Sequence, residues 1–324
     1  MGRKGLALVI AVAVLALALA SAAERHVPSA RAGAHAPVIA AVGDIACKDP
    51  PKNNRQVCRY DDVAATIERG DYDAFLVLGD VQYEYGRYKD FIENYDVYFH
   101  DLLPITYPAP GNHDYGTADA AGYFRYFGAR AHGPRGYYSF DLGAWHIISL
   151  NSQKCPAPYK NYDVDVCGPG DTQYDWLAAD LAASDAECTL AYFHHPRLSW
   201  IKWQNADWND EGELRMDPIW DLLYGAGADV VLAGHEHLYQ RYYPMDGDLN
   251  IDRERGIVQF IAGQGGESLQ PGGHWNHRLV SLAASWDQGY GFLRLKLRAQ
   301  GYDWRYMPAR GQPIYVDEGS RACH

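Results

Sequence analysis

Three short apolar runs early in the chain each stop at a glycine followed by residue types that bind hard metal ions. Val38–Val42 ends in Gly43-Asp44, Ala74–Leu78 in Gly79-Asp80, and Ile105–Ala109 runs through Pro110 to Gly111-Asn112-His113. An unbroken apolar run of this length reads as a buried strand feeding a loop. Helical patterns lie between the runs: Asp61–Arg69, with Val63, Ala64 and Ile67 on one face, and Tyr88–Phe99. Strand–helix–strand–helix–strand order implies right-handed crossovers and parallel strands. Ligands gather at the carboxyl ends of such strands, so the three loops are expected to converge.

The remainder adds a second sheet. Tyr137–Asp141 and Trp145–Leu150 flank Gly143 as a hairpin, and Thr172–Ala183 reads as a helix with Asp171 as its N-cap. Thr189–Phe193 and Asp229–Ala233 are strands that deliver His194-His195 and Gly234-His235-Glu236-His237, with a short helix, Asp217–Tyr224, between them. Ile257–Ala262, Tyr290–Arg298 and Tyr302–Met307 make the end mainly β. One domain accommodates all of this as an α/β (α+β) fold, a four-layer αββα sandwich of two mixed sheets packed face to face with helices outside.

Residues 1–22 read as a signal peptide: Arg3 and Lys4, an apolar stretch from Leu6 to Ala20, and Ala20-Ser21-Ala22 as the cleavage site. The stretch falls short of the ~20 residues needed to span a bilayer. Residues 23–36 read as a flexible leader, 37–310 as the catalytic domain and 311–324 as a C-terminal tail. The mature form is expected to be secreted, without a membrane anchor. Loss of Arg3 and Lys4 takes the net charge from −12 to −14, which disfavours nucleic-acid polymers as partners. Six cysteines suit an oxidising compartment. Proximity favours Cys47–Cys58 and Cys155–Cys167, leaving Cys188 and Cys323 to staple the tail, although spacing alone does not settle connectivity.

Together the five strand ends offer carboxylate, phenol, amide and imidazole groups, a donor set for two metal ions sharing one site. A carboxylate is the best bridge between two cations, and Asp80 is the candidate. Two-metal hydrolases clamp the attacking and leaving oxygens of an in-line displacement and generate hydroxide at the metal. A Ser or Cys nucleophile is then unnecessary, and the chain has no G-x-S-x-G elbow.

The ordered blocks Gly43-Asp44, Gly79-Asp80-Val81-Gln82-Tyr83, Gly111-Asn112-His113-Asp114, Ala191-Tyr192-Phe193-His194 and Gly234-His235-Glu236-His237 resemble those of calcineurin-like metallophosphoesterases. Tyr83, three residues after the second Asp, is similar to the mark of the purple acid phosphatase branch. The resemblance implies a first metal on Asp44, Asp80, Tyr83 and His237, and a second on Asp80, Asn112, His194 and His235. It implies Fe(III) beside Tyr83, with Fe, Zn or Mn at the second site. Most of the wider family has a His two residues after the first Asp. Here that position is Ala46, which cannot coordinate, so Tyr83 is expected to fill the vacancy. By the same resemblance His113 stabilises the transition state or protonates the leaving oxygen.

Several readings stay open on the sequence. Tyr83 could instead join an aromatic cluster with Tyr85 and Tyr88. His194 is preferred to His195 as ligand, His195 being a phosphate contact or a structural residue. His113 could instead orient Asp80 or Asp114. Tyr115 and Arg197 are weaker phosphate contacts, and Trp200, Trp203 and Trp208 either wall a leaving-group site or pack. Gly263-Gln264-Gly265-Gly266 reads as a tight turn at the site rim. The expected activity is hydrolysis of small phosphate monoesters at acidic pH by attack of a metal-bound hydroxide. A phosphodiesterase or nucleotidase using the same site is the alternative, and a non-catalytic metal-binding protein the third reading.

Overall fold

Strands β1 (Val38–Val42), β2 (Ala74–Leu78) and β3 (Thr106–Ala109) pair in parallel, Ile39 opposite Ala74 and Leu76 opposite Tyr107. The computed structural model describes residues 35–49, 57–154, 167–200, 214–270 and 281–324. The signal peptide and nearly all of the leader therefore lie outside the described residues. The connection from β1 to β2 carries α1 (Tyr60–Ile67). The connection from β2 to β3 carries a helical run of α2 (Tyr88–Asp90), a π-turn (Phe91–Tyr95) and α3 (Asp96–Phe99). A helix not anticipated from sequence, α4 (Ala121–Phe127), follows β3.

The hairpin β4 (Tyr138–Leu142) and β5 (Trp145–Ser149) is antiparallel, as its glycine predicts. Next come α5 (Thr172–Ala183), β6 (Cys188–Tyr192), α6 (Asp217–Gly225) and β7 (Val230–Ala233). Asp171 caps α5, its carboxylate accepting from Gln173 N at 2.8 Å and from Tyr174 N at 3.4 Å. The remaining strands are β8 (Tyr239–Tyr242), β9 (Val258–Ala262), β10 (Leu282–Trp286), β11 (Gly291–Arg298), β12 (Gly301–Pro308) and β13 (Glu318–Ala322).

Among the described residues these strands make a six-stranded sheet, β13-β12-β11-β1-β2-β3, and a seven-stranded sheet, β10-β8-β9-β7-β6-β5-β4. Both are mixed. Strand alternation sets the layers. Ile39, Ala41, Leu76, Leu293 and Leu295 point inward against Ile147, Leu190, Leu232 and Phe260 of the other sheet. Ala40, Val42, Phe75 and Val77 point outward and pack against residues of α1, α3 and α4. Ile148, Ala191, Val231 and Ile261 do the same against α5 and α6. The result is the anticipated αββα sandwich. Each fully buried Leu, Ile or Phe contributes about 1.5–3 kcal/mol.

Two disulfides are described. Cys47–Cys58 closes a short loop after β1, and Cys188–Cys323 joins β6 to the residue after β13, Cα atoms 5.6 Å apart. Cys155 lies outside the described residues, as do Trp203 and Trp208.

Candidate metal centre

The loops after β1 and β2 do not leave the sheet at once. Asp44 N donates to Gly79 O, Ile45 N to Asp80 O, Ala46 N to Val81 O and Tyr83 N to Ala46 O, at 2.9–3.1 Å. Parallel pairing thus continues past the strand ends and carries Asp44, Asp80 and Tyr83 forward together. Asp44 and Asp80 adopt left-handed φ of 59° and 48°, a region Asp tolerates better than most residues. The second sheet meets this edge from the other side. His235 N donates to Asp44 Oδ2 at 2.8 Å, and Gly234 N to His194 O at 3.0 Å. Gly79 has φ +85°, and a Cβ there would lie 2.6 Å from His194 Nδ1, so only glycine fits.

Tyr83 Oη sits 2.9 Å from Asp44 Oδ1, 3.2 Å from Asp80 Oδ2 and 2.9 Å from His237 Nε2. Beside this group, His194 Nε2 lies 3.2 Å from the same Asp80 Oδ2, 3.0 Å from Asn112 Oδ1 and 3.2 Å from His235 Nδ1. The seven residues anticipated as ligands therefore come together in two sets that share one carboxylate oxygen. His195 Nδ1 bonds Ser152 Oγ at 2.8 Å, while His194, His195 and His235 each bring a ring nitrogen within 4.8 Å of the others. Tyr83, not Tyr85, points inward: Tyr83 is buried and Tyr85 is 54% exposed.

The donor set fits hard cations. His194 Nδ1 donates to Leu78 O at 2.9 Å and His237 Nδ1 to Ser268 O at 2.7 Å, which turns each Nε2 toward the cluster. Asp44 and Asp80 are fully buried. Among the described residues the basic groups paired with them are imidazoles, with no lysine or arginine. Buried carboxylates require compensating positive charge. Burial disfavours a charged His194, yet the Asp80 carboxylate outweighs it and lifts the pKa to about 9. Asp44 does the same for His237, also to about 9. Burial and the Asp44 and Asp80 carboxylates push the Tyr83 phenol well above its usual range, so only a strongly Lewis-acidic cation would ionise it. Ala46 is buried with its backbone committed to Val81 and Tyr83, and offers no donor atom.

His113 lies at the edge of this cluster. Its backbone N–H donates to Asp80 Oδ1 at 2.7 Å, its Nδ1 bonds Glu84 O at 2.8 Å, and its Nε2 is 4.0 Å from Asp80 Oδ2. His195 is buried with its ring 4.6 Å from that of His235. Ser152 was not legible in the sequence. It follows β5 with no motif, and only the fold brings it to His195. Asp114 was not singled out for the part it plays. Its carboxylate accepts from Gly111 N at 2.9 Å and Val81 N at 3.2 Å, joining two motif loops. Burial, then the Asp80 charge, raises its pKa to about 7.

The described members of the weaker candidates have partners within the fold. Arg197 pairs with Asp217 at the start of α6. Tyr115 Oη accepts from Asn151 Nδ2 at 2.8 Å. Trp200 exchanges hydrogen bonds with the Gln240 side chain. Gly265 N donates to Gly43 O at 3.0 Å and Glu267 N to Asp44 O, placing the glycine-rich turn at the site rim.

The chain is similar to known phosphatases in sequence and to a solved one in fold. Purple acid phosphatase 21 of Arabidopsis thaliana is 31% identical over 196 residues, 55% of this chain and 41% of the relative. Purple acid phosphatase 18 of the same plant is 38% identical over 108 residues, 32% of this chain and 21% of the relative. The aligned region thus spans less than half the length of these curated relatives. Purple acid phosphatase PPD1 from yellow lupin seeds shares the fold, with a TM-score of 0.64 at 18% identity, covering 88% of this chain and 53% of that one. The calcineurin-like phosphoesterase family matches residues 37–239, more than half of the sequence, and all five strand-end blocks lie within that span. The chain belongs to the calcineurin-like phosphoesterase family.

Proposed function

We propose that this protein is an exported, dinuclear metal-dependent phosphatase of the purple acid phosphatase type, hydrolysing small phosphate monoesters. The observation that carries this reading is the sharing of Asp80 Oδ2 between two sets of donor atoms. Asp44, Asp80, Tyr83 and His237 would hold the first cation, with Fe(III) favoured by the buried phenol. Asp80, Asn112, His194 and His235 would hold the second, an Fe, Zn or Mn ion. Bound cations supply Lewis acidity to the phosphoryl group and acidify the attacking water.

The chain's own residues supply orientation and proton transfer. The Glu84 carbonyl fixes His113 Nδ1 as the N–H, so that Nε2 faces the cluster. Protonated, that nitrogen donates to the departing alcohol oxygen. Ser152 Oγ accepts from His195 N and donates its proton to His195 Nδ1, leaving Nε2–H to donate to a phosphate oxygen. Burial, then the charges of His235 and His194, holds His195 neutral. Export is supported by the apolar run from Leu6 to Ala20 and by the two disulfides. The reading divides the chain into a signal peptide, a leader, a catalytic domain over 37–310 and a disulfide-tethered tail.

The test is metal analysis with a visible spectrum, on protein assayed against matched mono- and diesters. The reading expects two metals per chain, a tyrosinate–Fe(III) band and monoester turnover. Diester preference would move the activity to phosphodiesterase, and metal-replete protein inert toward both esters would end the hydrolase reading.

A further inference from the structure

Tyr239 and Arg241 follow the fifth motif directly and open β8 in the seven-stranded sheet. Asp317 lies just before β13 at the edge of the other sheet, its carbonyl accepting from Tyr306 N at 2.9 Å. Its carboxylate crosses the interface between sheets. It accepts from Tyr239 Oη at 2.6 Å, and from Arg241 Nε and Nη2 at 2.8 Å each. The guanidinium also stands over the Trp304 ring, 4.8 Å from its centroid. Asp317 is 8% exposed, so this fork is largely withdrawn from water.

A buried ion pair adds little net stability compared with apolar residues of the same volume, because desolvation offsets the attraction. What it does supply is direction: two parallel hydrogen bonds hold a guanidinium in one orientation. Here the orientation fixed is that of the backbone two to four residues after His237. The same tail continues to Cys323, bonded to Cys188 at the start of β6, and to His324, whose N and Nδ1 both reach Asp229 Oδ1 at 3.1 Å. Asp229 immediately precedes β7. The tail thus grips β6 and β7 at the ends opposite their histidines, and β8 at the end that adjoins them.

We propose that Asp317 is a positioning residue for the metal centre, setting the exit of the loop that presents His235 and His237 through Tyr239 and Arg241. The inference rests on those histidines being ligands. It makes the C-terminal tail part of the functional unit, although the tail lies far in sequence from every motif.

Calorimetric titration of Mn(II) into the metal-stripped full chain tests it, with wild type, Asp317→Asn, Tyr239→Phe and Leu295→Ala compared. Tyr239→Phe removes one hydrogen bond and keeps the ring, so it remains informative if Asp317→Asn folds poorly. Leu295→Ala opens a cavity in the same inter-sheet core, opposite Trp304 on β12, and removes no donor or acceptor of the fork. The expected result is about tenfold weaker Mn(II) affinity for Tyr239→Phe and Asp317→Asn, the low end for residues supporting a ligand. Leu295→Ala should lower the thermal midpoint and leave affinity near wild type. Unchanged affinity in folded Tyr239→Phe and Asp317→Asn overturns the proposal, and so does an equal loss in Leu295→Ala. A wild-type chain that takes up no Mn(II), Zn(II) or iron removes the ligand reading itself, and this inference with it.

Discussion

Tyr83 Oη and His237 Nε2 meet at 2.9 Å across 154 residues of chain. The first comes from the six-stranded sheet and the second from the seven-stranded one, so the contact exists only when the two sheets are correctly stacked. Asp44 Oδ1 completes the group, 2.9 Å from the phenol and 3.4 Å from the imidazole.

Tyr83→Phe removes the oxygen common to these contacts and keeps the ring. Iron affinity should fall about 10–100-fold, by analogy with other losses at metal sites. The visible band should vanish while the fold, followed by circular dichroism, persists. A band that survives the substitution assigns it to another ligand.

His113→Asn should lower kcat by about 10²–10⁴-fold on an alkyl phosphate, the range for a general acid. The loss should be much smaller on a nitrophenyl phosphate, whose leaving group needs little protonation. Metal content should not change. Equal losses on both substrates would show that the His113 side chain orients Asp80 through Nε2, 4.0 Å from Asp80 Oδ2, and does not donate a proton to the leaving group.

His146 offers a test away from the site. Its two ring nitrogens lie 2.9 Å from Asp141 Oδ1 and 2.9 Å from Asp180 Oδ2. Burial opposes charge on the imidazole, but the two carboxylates prevail and raise its pKa. A histidine whose pKa is higher folded than unfolded stabilises fully below about pH 6.5, and that contribution is lost as pH rises through the folded value. Urea midpoints of wild type and His146→Gln should therefore differ most in mild acid and converge in alkali. A gap independent of pH would mean that His146 is neutral in its clasp.

Replacing both Cys188 and Cys323 by Ser should cost about 2–5 kcal/mol, since the bond closes a loop with a sequence separation of 135. Denaturant titration under non-reducing conditions measures it. A loss well under 1 kcal/mol would show that Asp317 and the β12–β13 pairing hold the tail unaided.

What the sequence made legible follows physical lines. β1 and β2 were found because a strand buried on both faces must be apolar throughout, and their residues are. α5 was found end to end because Asp171 announces it. The candidate ligands were legible as a set because each lies at or just past a strand end, where chemistry concentrates. β13, Glu-Gly-Ser-Arg-Ala, was not legible: it pairs on one side and alternates between exposed and half-buried, so nothing demands an apolar pattern. β8 was hidden because Gln240 and Arg241 are polar, and their partners, Trp200 and Asp317, are distant in sequence. α4 begins after Asp119 and Ala120, both at left-handed φ of about 50°, an entry with no capping signal. Residues such as Ser152 and Asp317 act through tertiary contacts that no local pattern encodes.

The backbone ladder runs on from β1 and β2 through Ala46 and Val81. It ties the two loops into one rigid unit. A substitution that tilts either strand therefore carries Asp44 and Asp80 together and leaves the spacing between their carboxylates unchanged.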